Sequence, residues 1–95
     1  MRLHREGDLP GAEMGYRQAL QARPGDPAAL HYFGMILHQR GKSREAMGFV
    51  RKSIEAAPGV ADFHCNLGVI LRDLGRLDEA ISAICTAIRL RPKYP

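Results

Sequence analysis

Displaced by 34 residues, this chain lies on itself: Gly34 falls on Gly68, Leu37 on Leu71, Gly41 on Gly75, Glu45 on Glu79, Ala46 on Ala80, Ile54 on Ile88 and Pro58 on Pro92. The same offset run backwards places Gly41 on Gly7, Ala46 on Ala12 and Pro58 on Pro24, and two steps take Leu77 to Leu9. A fixed period of this length belongs to a quasi-one-dimensional array, in which one supersecondary unit cannot bury its apolar face alone and stacks on its neighbours. The copies divide the 95 residues into a truncated first repeat over 1–26, complete repeats over 27–60 and 61–94, and Pro95 at the start of a missing one.

Each landmark of the period has a local cause. Asp26-Pro27 opens a helix: the Asp side chain caps an orphan N–H, and Pro at the first helical position gives up an N–H that has no partner there anyway. Leu30, Phe33, Gly34 and Leu37 then recur at helical spacing and make one apolar stripe, which Gly41 ends as a left-handed cap. A second helix is expected from about Ser43 to Ala57, with Ala46, Phe49, Val50 and Ile54 inward, stopped by Pro58-Gly59. The next pair reads Ala61 to Leu74, Gly75, then Leu77 to Leu90 and Pro92. Leu9 to Ala22 reads as the second helix of the first, shortened copy, with Met1 to Glu6 as the end of its mate. The fold class is all-α: antiparallel helix-turn-helix units in tandem, an α-solenoid fragment of about two and a half repeats.

A glycine inside a helix costs ~1 kcal/mol, so its recurrence at Gly34 and Gly68 asks for a packing reason. Opposite each stands a small residue of the second helix, Ala46 and Ala80. The pairs predict a close crossing within each hairpin, where a larger side chain would push the axes apart.

Composition narrows the function by exclusion. The net charge of +4 is spread along the chain without aromatic interleaving, which argues against a nucleic-acid platform. No apolar run reaches the ~18 residues of a membrane span, and the opening Met1-Arg2-Leu3-His4-Arg5-Glu6 lacks the apolar core of a signal peptide. A cytoplasmic protein with neither membrane nor nucleic-acid partner is expected. Cys65 and Cys85 have no CxxC spacing and read as reduced, buried thiols. Met14, Met35 and Met47 read as core fillers, and His64, on the apolar stripe, as a packed and hydrogen-bonded histidine.

No Walker loop, HExxH, GxSxG or paired-carboxylate motif is present, so no catalytic residue and no cofactor are expected. His31 and His38 share a helix face, and Cys65 stands level with His31 one repeat on. Neighbouring first helices lie ~10 Å apart, however, too far for four zinc ligands at ~2.0–2.3 Å.

The period, the paired helices and the Leu-Gly, Gly, Ala and Pro landmarks resemble the tetratricopeptide repeat over the whole chain. The family's first large residue is replaced by Leu30 and His64, and its usual Tyr by Leu37 and Leu71. Ser43 stands where Leu9 and Leu77 are apolar, and Val60 where Asp26 caps, which weakens the start of the helix at Ala61. The resemblance implies a concave groove lined by the first helix of each pair. Its positions here are Ala28, His31, Met35, His38 and Gln39, then Asp62, Cys65, Val69, Arg72 and Asp73. Family members that clamp a terminal carboxylate do so with Lys and Asn, at places held here by His31 and Met35 and by Cys65 and Val69, so that clamp is not expected. Cys65-Asn66-Leu67-Gly68-Val69 and Leu90-Arg91-Pro92-Lys93-Tyr94-Pro95 are also similar to the arrays of bacterial O-linked N-acetylglucosamine transferase-like proteins. Asn66 matches the asparagine series of those grooves, while Tyr32 replaces its counterpart one repeat earlier.

The last helix, Ala80-Ile81-Ser82-Ala83-Ile84-Cys85-Thr86-Ala87-Ile88, is apolar around more than half its circumference, where a terminal helix normally turns a polar face outward. Leaving Ile81, Ile84, Cys85 and Ile88 wet would forgo about 1.5–3 kcal/mol per large side chain. The chain is therefore expected to continue in a longer array or to form a homo-oligomer. Three functions follow as expectations: a protein or peptide scaffold within a longer bacterial-type polypeptide, a self-assembly element, or a substrate-recruiting segment of a transferase whose catalytic residues lie elsewhere.

Overall fold

The computed structural model describes residues 9–91, which form five helices: α1 Leu9–Ala22, α2 Pro27–Gln39, α3 Ser43–Ala56, α4 Ala61–Asp73 and α5 Leu77–Leu90. Helices α2 with α3, and α4 with α5, pair as hairpins; α1 packs on α2 and α3 on α4. The expected mate of α1 over Met1 to Glu6, the cap at Gly7, the stop at Pro92 and the start of a further repeat at Pro95 lie outside the described residues.

Helix ends follow the chemistry of their residues. Asp26 accepts a hydrogen bond from the Ala29 amide at 3.0 Å, with Pro27 at the first helical position. Val60, its counterpart, offers no side-chain bond to α4. At the C-termini of α2 and α4 the chain turns through Gly41 (φ 81°) and Gly75 (φ 79°), a region where a Cβ is strained. Two bonds close each turn: Lys42 N–H donates to Leu37 O at 2.8 Å and Gly41 N–H to His38 O at 3.0 Å, repeated by Arg76 to Leu71 at 2.9 Å and Gly75 to Arg72 at 3.0 Å. The sixth-to-first and fifth-to-second pattern is the Schellman motif, which satisfies carbonyls that a helix end leaves orphaned.

The core runs continuously through both hairpins. Phe33, Leu37, Ala46, Val50, Leu67, Ile70, Leu71, Ala80 and Ala83 are buried together, with Met35, Met47, Phe49, Ile54 and Leu74 packed partly buried around them. The small pairs lie at close crossings. A Cβ on Gly34 would meet the Ala46 carbonyl oxygen at 3.1 Å, and one on Gly68 the Ala80 carbonyl oxygen at 3.2 Å. One expected core filler is misplaced: Met14 is 63% exposed, because it stands at the outward position shared by Gly48 and Ser82.

Candidate functional site

Two polar pairs tie the first helices of successive repeats, and both join residues one repeat plus one position apart. His31 Nε2 lies 2.8 Å from Asn66 Nδ2, and two turns further on His38 Nε2 lies 2.6 Å from Asp73 Oδ2. The spacing of α2 and α4 is thereby set by hydrogen bonds as well as by packing.

The two histidines differ in setting. His31 is buried, 5% exposed, with its ring 4.6 Å from Phe63 and 5.2 Å from Tyr32, centroid to centroid. Asn66 Nδ2–H donates to Nε2, which places the proton of the neutral ring on Nδ1, a buried atom with no hydrogen-bond partner. Burial lowers the His31 pKa from its ordinary value, against a smaller opposing pull from Asp62. His38 is half-buried and donates to Asp73, whose carboxyl is held below the usual range chiefly by that bond, with Arg72 adding to it. His64 is satisfied by the end of the preceding repeat, with Nε2 2.8 Å from the Pro58 carbonyl oxygen.

On the α2/α4 face, Ala28, Gln39, Asp62, Cys65, Arg72 and Asp73 are exposed, while Met35, Asn66 and Val69 are half-buried. The resemblance placed His31 in a groove lining, but its ring is shut in by Phe63 and reaches that face only through Asn66. Arg72 is 3.4 Å from Asp73, a looser contact than the one His38 makes. Tyr32, which stands where Asn66 stands one repeat later, is 44% exposed and stacks on Tyr16 of α1 at 5.8 Å. The signal for the cross-helix pairs was the offset of 35, which brings polar residues to facing sides of neighbouring first helices.

Asp62 and Cys65 turn toward the other end of the molecule. With Ala61, Ile84, Ala87, Ile88 and Arg91 they line a mostly apolar cleft of about 320 Å³, across which Arg91 pairs with Asp62 at 3.3 Å. Beside it stand Ile81, Ile84 and Ile88, exposed by 61%, 38% and 60%. One repeat earlier Val50 is fully buried, and Met47 and Ile54 pack against the core, because α4 covers them. Both cysteines, expected buried, are exposed. Cys65 occupies His31's place, and among the described residues nothing does for it what Phe63 does for His31; Cys85 shares its position with the exposed Arg51.

Among the described residues no three potential metal ligands converge, and no helix is long and apolar enough to cross a membrane. Two further carboxylates collect arginines. Glu13 is bound by Arg40 at 2.7 Å and Arg17 at 3.1 Å, and Glu79 by Arg76 at 2.7 Å and Arg51 at 3.3 Å.

Comparison with known proteins agrees with this geometry. A search of curated proteins gives no match. Among solved structures, a mutant O-GlcNAc transferase of Thermobaculum terrenum is 32% identical with a TM-score of 0.89, over 93% of this chain and 17% of that one. The second tetratricopeptide repeat domain of Spaghetti (RPAP3), bound to the HSP90 peptide SRMEEVD, aligns over 90% of this chain and 80% of that one; at 21% identity and a TM-score of 0.85 it shares the fold. This chain thus spans about a sixth of the transferase. Tetratricopeptide-repeat profiles match residues 3–61 and 61–94, and with helices, glycine turns and close crossings in the same register, the chain belongs to the tetratricopeptide repeat family.

Proposed function

We propose that this chain is a polypeptide-binding scaffold that holds an extended or helical segment along the α2/α4 face. The observation that carries this reading is the pair of bonds from His31 to Asn66 and from His38 to Asp73. They preorganise two helices side by side, so a bound segment does not have to order its own binding surface. Half-buried Met35 and Val69 supply apolar contact, Asn66 retains an amide oxygen for a backbone N–H, and Arg72 stands ready for a carboxylate. The bound peptide in the RPAP3 structure supports a peptide as the class of partner. With no Lys and Asn at the clamp positions, the segment is bound internally rather than by its C-terminus.

A displayed library of random 15-residue peptides selected on the chain tests the proposal. Selected peptides should lose at least about tenfold in affinity on Asn66→Ala or Arg72→Ala, with the circular dichroism spectrum intact. Indifference to every substitution at Met35, Asn66, Val69 and Arg72 would overturn it.

A second reading, self-association, is favoured by the exposed Ile81, Ile84 and Ile88 beside the apolar cleft. A dimer in sedimentation that Ile88→Glu converts to folded monomer would support it; a monomer at millimolar concentration would exclude it. The 32% identity to the transferase array supports a third, recruitment of a substrate polypeptide to a catalytic domain in the same protein. It predicts that peptides selected on the α2/α4 face are rich in serine and threonine, and selection without that bias counts against it.

A further inference from the structure

The groove between α3 and α5, on the side away from the α2/α4 face, has lost an occupant that its counterpart keeps. Between α1 and α3 the corresponding space is filled by two rings, Phe33 from α2 and Phe49 from α3, edge to face at 4.7 Å. Two cations dress them: the Arg17 guanidinium is 5.3 Å from the centre of Phe33, and the Lys52 ammonium 5.4 Å from the centre of Phe49. One repeat later the four positions read Leu67, Ala83, Arg51 and Thr86. Both rings are gone and one cation remains.

What they leave is a cleft of about 370 Å³, floored by Ile54, Leu67, Leu71 and Ala83. Its rim carries Arg51, His64, Ser82, Thr86 and two carboxylates, Glu55 and Glu79. Arg51, with no ring to cover, reaches Glu79 at 3.3 Å, both side chains nearly half exposed. Such a pair is easily given up, and Glu79 keeps two shorter bonds from Arg76, at 2.7 and 3.0 Å. Glu55 makes no ion pair among the described residues.

We propose that this cleft is a second binding site, separate from the α2/α4 face, for an aromatic side chain of a partner polypeptide with a cationic residue next to it. The ring takes the space that Phe33 and Phe49 fill together one repeat earlier, against Leu67 and Ala83. Arg51 swings over its face as Arg17 does over Phe33, and the neighbouring cation meets Glu55. The recognition element is a single ring anchored by apolar burial and a cation–π contact, with the charge of the adjacent residue giving orientation.

The probe is N-acetyl-phenylalanyl-arginine amide, titrated to millimolar concentration into the isotope-labelled chain while backbone amide resonances are followed. Shifts centred on Leu67, Leu71 and Ala83 are expected. They should vanish for the alanyl-arginine analogue and weaken by about tenfold for phenylalanyl-glutamate. Ala83→Phe and Leu67→Phe restore from within the rings of the preceding repeat and should abolish the shifts while the circular dichroism spectrum and melting profile stay cooperative. No shift at the cleft, equal shifts with the alanyl peptide, or shifts confined to the α2/α4 face would each overturn the proposal. The peptide series on the unaltered chain decides the matter even if one cavity-filling variant does not fold.

Discussion

A Cβ on Gly34 would stand 2.8 Å from Val50 Cγ2, and the same addition at Gly68 would stand 2.6 Å from Ile84 Cγ1. The distances are alike, but the neighbours can yield to different degrees. Val50 is fully buried on α3, which is held between α2 and α4; Ile84 is 38% exposed on α5, which among the described helices packs on α4 alone. Alanine improves helix propensity by ~1 kcal/mol at either site, while overpacking costs about 1–3 kcal/mol where the surroundings cannot move. Gly34→Ala should therefore destabilise by up to about 2 kcal/mol, and by more than Gly68→Ala, where the neighbour can move aside. Urea unfolding of the two variants checks the order, and the reverse ranking would contradict this account of the crossings.

Those glycines also show what could be read before the fold was known. Helix boundaries and caps follow from local rules: Asp26-Pro27 and the Gly41 and Gly75 turns act within a few residues of themselves, so period and chemistry sufficed to place them. Side-chain partners across repeats did not follow so directly. His31 looked like an open groove residue because its position in the repeat is an outward one, and only the neighbouring helix reveals that Phe63 lies on its ring. Cys65 fails in the opposite sense. Equivalent positions share a backbone direction, but burial depends on what the next repeat brings, and the period carries no record of that.

The buried ring of His31 makes stability depend on pH. Its pKa in the fold is lowered, so the unfolded chain binds the proton more readily. The stabilisation is complete above the unfolded value of about 6.5 and is lost as pH falls through the folded one. The melting temperature should thus drop as pH falls below about 6.5. His31→Phe, which keeps a ring against Phe63 and leaves half-buried Asn66 to water, should flatten that drop. A variant with the same pH slope as the parent would show that the ring is not responsible.

Exposure of both cysteines gives a direct chemical readout. Cys65 and Cys85 should both react with a thiol-specific disulfide reagent in the folded protein, without denaturant, at rates that rise with thiolate fraction as pH increases. Stoichiometry near one thiol per chain would place one of them in an interface, and self-association through the Ile81 to Ile88 face would protect Cys65 first, because it shares the cleft with Ile84 and Ile88.

Glu13 and Arg40 occupy the positions that Met47 and Leu74 hold one repeat later, so positions bridged by an ion pair in one place are apolar in the next, where both side chains line one cleft. Burial works to raise the Glu13 carboxyl, but hydrogen bonds from Arg40 and Arg17, with the charge of Lys42 behind them, outweigh it and hold the group below the ordinary range. A carboxylate lowered in this way stabilises the fold above its unfolded pKa and ceases to do so as acid protonates it through the folded one. Arg40→Leu alone strands a carboxylate whose side chain is only 12% exposed and should cost about 1–2 kcal/mol, discounted for the remaining Arg17 and for the partial exposure of Arg40. Glu13→Met alone leaves a half-exposed arginine that can turn to water, and should cost less. Combined, the two substitutions install the residue types of Met47 and Leu74. The double variant should regain most of the loss, with a coupling of about 1 kcal/mol, and should lose less stability than the parent between pH 5 and 3. Strict additivity in the double-mutant cycle would mean that the two side chains do not act as a pair, whatever their distance.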